Sequence, residues 1–401
     1  MVALALLAFP ASAQSGPVVT DGGVENVFPN GMVFRMSAEG SSPIEEIRFR
    51  YEVLPDGTAA NKVPDFEPGE SVEVTVTLAG DEFYLPPGMV IEYYWEVTDA
   101  NGDTAETEVE AFFYDDVRFD WLTVDGDGVT IYHYSGDDES AADMHGVAVE
   151  IIDEMSALLQ TEVPFDVQVW LYDSTDDMRP ALQSRSETYE SQVITAGVRV
   201  ATNTVLVLGN SSFDTLRHEL THVVTAQAGE SALGTMPAWL DEGTAVYGQS
   251  DPGGFGGAIS GAIDRDSVLS VREISAYPGD PGKVNVFYGE AWSLVSYLVD
   301  TYGEEDFAQL FAEIKGGKRI DSALEAVYGF DQDGLDAEWR DANGLPARET
   351  PEPTPQDQQP VVAGEDDGGT STGLIAVIAV AILALAALVG VGGVLLARKV
   401  S

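Results

Sequence analysis

The sequence contains no cysteine, few basic residues and only four histidines. Without cysteine the chain can form no disulfide and offers no thiolate to a metal, so histidine and carboxylate side chains are its only strong zinc ligands. Its 19 lysine and arginine residues stand against 68 aspartate and glutamate residues, which gives a formal net charge of -49. Because phosphate backbones bind to basic surfaces, we expect no nucleic-acid partner.

The excess of acidic residues has two interpretations. It is an adaptation to high salt, where dissolved ions screen the repulsion between like charges, or it is the general acidity of a secreted protein that stays soluble and weakly self-associating. The sequence leaves both open, and it predicts no oligomeric state.

Apolar runs lie near both ends of the chain. Residues 1–13 hold a short apolar run that ends in Ala11-Ser12-Ala13, a small-residue pattern typical of a signal-peptide cleavage site. Residues 373–397 are almost wholly apolar and uncharged, and they are long enough to form a transmembrane helix. Two basic residues begin the tail 398–401, so the positive-inside rule places the tail in the cytoplasm and the body of the protein outside it. We therefore expect a single-pass protein anchored in the cell membrane by this helix.

Residues 14–116 carry short stretches in which polar and apolar residues alternate, such as 47–53, 72–78 and 91–97. A further stretch at 105–113 is expected to pair with 91–97 in a hairpin. About seven short strands in roughly 100 residues are typical of an immunoglobulin- or fibronectin-like β-sandwich. Such a domain is either a spacer or a module that binds a substrate or a cell-surface partner.

Residues 117–344 mix strand and helix patterns and predict an α+β domain with a small mixed sheet followed by a mostly helical lobe. Asp125-Gly126-Asp127-Gly128 resembles part of a calcium loop, but the glutamate that ends such a loop is missing, so a hairpin turn is the better interpretation. The glycine-rich stretch 251–257 is predicted to be a flexible loop. Residues 345–372 are rich in proline and acidic residues and predict a disordered linker.

The run His218-Glu219-Leu220-Thr221-His222 is the chain's strongest functional motif. Residues four apart lie on one face of a helix, so His218 and His222 would present two imidazole nitrogens to one ion. Glu219 would then lie beside the metal, where its carboxylate can take a proton from a bound water. Two features predict a helix here: an apolar strand at 204–208, and the turn residues 209–212 that can cap the helix.

A catalytic zinc site needs a third protein ligand and an open position for water. Glu242 is the best candidate, since it lies 20 residues after His222 and follows Pro237, a residue that suits a helix start. The alternative is a chance match on a helix whose histidines are merely exposed. The remaining histidines, His133 and His145, lack motif spacing and are expected to be structural or exposed.

Two further motifs accompany the His-Glu-x-x-His run, namely Trp239-Leu240-Asp241-Glu242-Gly243-x-Ala245 and Tyr288-Gly289-Glu290-Ala291-Trp292. Together they resemble the gluzincin metallopeptidases, and most closely the peptidase MA-like proteins of bacteria and archaea. The resemblance extends over residues 125–342 and does not include the β domain.

The resemblance implies a thermolysin-like fold and one zinc ion held by His218, His222 and Glu242. It also implies that Glu219 is the general base and that Tyr288 supports the oxyanion of the transition state. In thermolysin an aspartate four residues past the glutamate ligand orients a histidine ligand, but here that position is Val246. The chain also lacks the exopeptidase motif Gly-x-Met-Glu-Asn, so aminopeptidase specificity is not supported.

The sequence therefore predicts a membrane-anchored zinc metallopeptidase that acts on peptides or proteins outside the cytoplasm. Two alternatives remain. One is a protein that binds zinc or peptide without turnover, and the other is a cell-surface adhesion protein. An intramembrane protease is excluded, because the metal motif lies far from the predicted transmembrane helix.

Overall fold

A computed structural model describes residues 16–79, 84–136, 138–183 and 196–348. The predicted signal peptide, the transmembrane helix and nearly all of the predicted linker lie outside these residues. Among the helices of the described ranges, none is both long and apolar enough to cross a membrane.

The N-terminal region is built on one long strand. β2 (Gly31–Leu54) pairs along its first half with β1 (Val18–Asn26) and β4 (Gly69–Ala79). Along its second half it pairs with β3 (Thr58–Lys62) and β5 (Met89–Asp99).

The two halves of β2 face each other across an aromatic core. The ring centroids of Phe34 and Phe49 lie 4.6 Å apart, and those of Phe34 and Tyr93 lie 4.8 Å apart. Burial of these rings is the main stabilising contribution in a core of this kind. The N-terminal region is therefore β-rich, with two packed layers connected by one strand.

The strand predicted at 105–113 is divided in the structure. β6 (Thr104–Glu106) and β7 (Glu110–Tyr114) both pair antiparallel with β5. The hairpin across Asn101-Gly102 is present, because Thr98 pairs with Thr104. Between β6 and β7 the regular pairing with β5 is interrupted at Thr107. Its N–H donates to the Trp95 carbonyl oxygen, and its side-chain hydroxyl accepts from the Trp95 N–H, each at 3.0 Å.

A second, five-stranded mixed sheet has the order β11-β12-β10-β9-β8. Its strands are β8 (Leu122–Gly126), β9 (Val129–His133), β10 (Val167–Tyr172), β11 (Gly197–Ala201) and β12 (Thr204–Leu208). β9, β10 and β12 are parallel, and β8 and β11 are antiparallel edge strands. Asp127 and Gly128 both have positive φ (48° and 75°), as a tight two-residue hairpin turn requires, so the hairpin interpretation of this segment is confirmed.

The described residues contain nine α-helices. They are α1 (Asp138–Leu158), α2 (Thr175–Met178), α3 (Phe213–Gly229), α4 (Ala238–Tyr247), α5 (Gly254–Asp264), α6 (Val284–Tyr302), α7 (Glu304–Lys315), α8 (Ile320–Val327) and α9 (Gln332–Ala342). The mostly helical lobe predicted after the sheet is present from α3 onwards.

The prediction of a flexible loop over residues 251–257 is wrong for residues 254–257, because α5 begins at Gly254. Phe255, Ile259 and Ala262 form its buried face, and the ring of Phe255 stacks on Tyr288 of α6 at 4.9 Å. A Cβ at Gly289 would lie 2.4 Å from the carbonyl oxygen of Phe255, so glycine there allows the close approach of α5 and α6. This packing outweighs the low helix propensity of glycine.

A second close approach connects α4 and α6. A Cβ at Gly243 would lie 2.3 Å from the carbonyl oxygen of Ala291 and 2.8 Å from Cγ2 of Val295. Gly243 directly follows Glu242, so this contact sets the depth at which α4 holds that carboxylate.

Residues 345–348 make ordered contacts although they were assigned to the linker. The guanidinium of Arg348 donates to both carboxylate oxygens of Asp336 at 2.8 and 3.1 Å and also to the carbonyl oxygen of Leu269. Arg340 donates to the carbonyl oxygen of Pro346 at 2.8 Å. These contacts attach the end of the described chain to α9.

The chain divides into two compact units. The first contains the described residues up to Val149 together with Pro164–Leu216, and the second contains Glu150–Val163 and the described residues from Arg217 onwards. All the residues of the candidate site belong to the second unit.

Candidate metal centre

The helix α3 carries the His-Glu-x-x-His run. Its start is capped by Ser212, whose hydroxyl oxygen accepts a hydrogen bond from the Thr215 N–H at 3.3 Å. His218, Glu219 and His222 are all buried, with exposed fractions of 8%, 3% and 1%. Histidines this deeply buried are not the exposed pair of a chance match.

The structure brings His218, His222 and Glu242 together. The two histidine Nε2 atoms lie 3.3 Å apart, and Oε2 of Glu242 lies 3.2 Å from the first and 3.5 Å from the second. Among the described residues, this is the one group of three or more histidine and carboxylate side chains whose potential ligand atoms converge.

The spacing of these three atoms fits a zinc ion. Zinc bonds of 2.0–2.1 Å at tetrahedral angles place neighbouring ligand atoms ~3.3 Å apart. The measured separations of 3.2, 3.3 and 3.5 Å lie close to this value. Oε2 of Glu242 is fully buried, and apart from the two imidazoles it has no hydrogen-bond partner among the described residues, so a cation bound there would stabilise it.

Asp241 holds the ring of His222. Its Oδ1 lies 2.9 Å from His222 Nδ1 and accepts a second hydrogen bond from the Thr225 hydroxyl at 2.7 Å. An imidazole that coordinates through Nε2 carries its proton on Nδ1, and a carboxylate acceptor there fixes that tautomer. The role that thermolysin gives to an aspartate at the position of Val246 is therefore available to Asp241 here.

Gln249 contacts the other imidazole. Its side-chain amide lies 3.0 Å from His218 Nδ1. The amide atom at this distance is the nitrogen Nε2, so if Nε2 of His218 binds a metal and Nδ1 carries the proton, the amide is turned by 180° and its oxygen accepts that proton. The two imidazoles thus have different partners, a carboxylate for His222 and a neutral amide for His218.

Tyr277 contacts the third predicted ligand. Its hydroxyl donates a hydrogen bond to Oε1 of Glu242, and its ring packs on Phe287 with centroids 5.5 Å apart. Burial and the neighbouring carboxylate of Glu242 raise the pKa of Tyr277 above its usual value, so the hydroxyl stays protonated and remains a donor.

The charges in this cluster favour a cation. Burial lowers the pKa of His222, but the carboxylates of Asp241 and Glu242 raise it more, so the pKa lies well above that of a free histidine. Burial raises the pKa of Glu242, but His222 and His218 lower it more, so the pKa lies well below that of a free glutamate. The cluster therefore stabilises added positive charge, which a divalent ion supplies.

The two predicted catalytic residues lie close to this cluster. Glu219 is buried next to His218 on α3. Tyr288 belongs to α6 and is 2% exposed, and its ring centroid lies 6.2 Å from that of His218. The structure thus brings the three predicted ligands and Tyr288 together, with Glu219 buried next to His218 along α3.

The other two histidines lie in the first unit. Nδ1 of His133 lies 3.2 Å from the Ser135 carbonyl oxygen, and Nε2 of His145 lies 3.0 Å from that of Gly126. Both rings contact backbone carbonyls, as expected for structural residues.

Asp241, Thr225, Gln249 and Tyr277 contact the predicted ligands but were not predicted as site residues from the sequence. Asp241 precedes Glu242 within a motif that was already singled out, and Thr225 lies one helical turn after His222, so their positions were a usable signal. Tyr277 lies 35 residues after Glu242 in an irregular segment, where no spacing rule applies.

Residues 148–343 match the family model of the Peptidase MA superfamily. The matched range contains the whole cluster and excludes the N-terminal β-rich region. No curated protein matches the sequence.

The similarity of this chain to solved structures is low. The M1 zinc metallopeptidase from Deinococcus radiodurans is 14% identical, with a TM-score of 0.39, and the match covers 81% of this chain and 93% of that one. A Br derivative of BhCBM56 is 16% identical, with a TM-score of 0.18, and the match covers 25% of this chain and 99% of that one. Neither score is high enough to support an argument about fold or function.

Proposed function

We propose that the protein hydrolyses peptide bonds at the site formed by His218, His222 and Glu242, because residues 148–343, which contain this site, match the family model of the Peptidase MA superfamily. The observation that carries the proposal is the convergence of the two Nε2 atoms and Oε2 of Glu242 in a buried cluster with Glu219 beside it. His218, His222 and Glu242 would hold one zinc ion.

These residues would hold a zinc ion whose Lewis acidity would lower the pKa of a coordinated water towards ~7 and polarise a carbonyl oxygen. Glu219 takes the proton from the attacking water and delivers it to the leaving amine. Asp241 and Gln249 orient the imidazoles, so that both Nε2 atoms face the same point. Tyr288, close to His218, donates a hydrogen bond to the developing oxyanion.

The variant Glu219→Gln tests the role of the base. It keeps the shape of the side chain and leaves the three ligands in place, so we expect it to bind zinc as the wild type does. We expect turnover of an unstructured protein to fall at least 100-fold, since general base catalysis contributes about 10²–10⁴-fold. A variant with zinc bound and wild-type turnover would remove Glu219 from the mechanism.

We also propose that residues 373–397 anchor the protein in the cell membrane with its body outside the cytoplasm. The uncharged apolar run and the two basic residues that follow it support this proposal. Protease added to intact cells should then digest the body of the protein and leave a short protected fragment. Recovery of the full-length protein in the soluble fraction would contradict the proposed anchor.

A further inference from the structure

The two carboxylate oxygens of Glu242 have different environments. Oε2 faces the Nε2 atoms of His218 and His222, at 3.2 and 3.5 Å. Oε1 accepts a hydrogen bond from the hydroxyl of Tyr277. The carboxylate is fully buried.

Tyr277 comes from an irregular segment and not from a helix. It lies between two short 3₁₀ turns, Glu273–Ser275 and Pro281–Lys283. Its ring is held against Phe287 on α6. The hydroxyl therefore reaches Glu242 from an element other than the helices α3 and α4 that carry the proposed metal ligands.

A carboxylate binds a metal ion through one oxygen or through both. A catalytic zinc site keeps one coordination position open for water, and a second bond from the same carboxylate would compete for that position. In this structure Oε1 accepts the hydrogen bond from Tyr277, so only Oε2 faces the two Nε2 atoms.

We propose that Tyr277 is a positioning residue that restricts Glu242 to a single metal bond through Oε2 and thereby keeps a coordination position open for water. The inference rests on the proposed function, because it assumes that the site binds a divalent ion. The proposal gives Tyr277 a role at the metal site in addition to its packing against Phe287. A phenylalanine would fill the same space against Phe287 but would leave Oε1 free to bind the ion.

The test compares Tyr277→Phe with the wild type after the site is loaded with Co²⁺. Cobalt with four or five ligands absorbs more strongly in the visible than cobalt with six, and its spectrum changes with each added oxygen ligand. We expect Tyr277→Phe to shift and weaken the visible bands. We also expect kcat to fall about 10- to 100-fold with little change in KM, as is typical when a residue that orients a ligand is lost.

Tyr302→Phe is the matched control. Tyr302 also donates a hydrogen bond to a carboxylate, that of Glu338, but both residues lie outside the candidate site, on the exposed surface of α6 and α9. Its removal should leave the cobalt spectrum and kcat unchanged. Thermal unfolding of both variants, measured by circular dichroism, confirms that each one is folded.

The outcomes are distinct. If Tyr277→Phe has the spectrum, metal affinity and kcat of the wild type, the inference is wrong and Tyr277 only packs. If its metal affinity falls with no change in the spectrum of the loaded protein, Tyr277 stabilises the site without restricting Glu242, and the inference is again wrong. If the wild type binds no Co²⁺ at all, the proposed function fails first.

Discussion

Replacing Asp241 with asparagine tests how the site holds its metal. Oδ1 of Asp241 lies 2.9 Å from His222 Nδ1 and 2.7 Å from the Thr225 hydroxyl. Asparagine keeps the size of the side chain and an oxygen that can accept both hydrogen bonds, but it removes the negative charge. A hydrogen bond to a charged group contributes about 1.5–3 kcal/mol, against about 1 kcal/mol for a neutral pair.

The expected loss is therefore roughly 0.5–2 kcal/mol in zinc binding, which corresponds to a Kd raised about 2- to 30-fold. Competition with a coloured chelator at fixed pH and salt measures this Kd. Asp300→Asn is the control, because Asp300 is an exposed residue at the end of α6. A Kd for Asp241→Asn equal to that of the wild type and of Asp300→Asn would refute the role of Asp241.

Two further predictions concern stability. Burial raises the pKa of Glu290 from 4.5 to about 8. Between these two pH values the folded protein keeps a proton that the unfolded chain loses. The free energy of unfolding should therefore fall as pH rises from 4.5 to 8, by at most about 1.4 kcal/mol per pH unit. In urea titrations Glu290→Gln should lack this fall, and parallel pH profiles for both proteins would contradict the assignment. Gly243→Ala places a Cβ 2.3 Å from the Ala291 carbonyl oxygen and should destabilise the folded protein by about 1–3 kcal/mol. In the control Gly257→Ala, on α5, the new Cβ meets nothing within 4 Å, and the substitution should stabilise the folded protein by about 0.5–1 kcal/mol. Equal melting temperatures for these two variants would show that the contact of α4 with α6 is looser than described.

Most of the helical lobe was predictable from its sequence pattern. The apolar strand at 204–208 and the capping turn residues 209–212 predicted α3, and Pro237 predicted the start of α4. The metal motif then fixed which face of α3 carries the histidines. These features depend on local sequence, which is why a single chain was enough to predict them.

Features that depend on tertiary packing were not predictable in this way. The glycines of α5 favour a loop locally, and the helix forms because Phe255 packs on Tyr288 and Gly289 admits the backbone of α5. Similarly, β2 continues through Gly40-Ser41-Ser42-Pro43, which local rules treat as a turn, because its two halves pair with different partners. Tyr277 joins the site from a distant irregular segment and carries no pattern of its own.

The central claim is that one divalent ion bound by His218, His222 and Glu242 is required for peptide hydrolysis. The most direct measurement is elemental analysis of the purified protein combined with cleavage of casein, with and without a chelator. The claim predicts one equivalent of zinc per chain and cleavage that stops with the chelator and returns when zinc is restored. Cleavage that continues in a fully metal-free protein would contradict it.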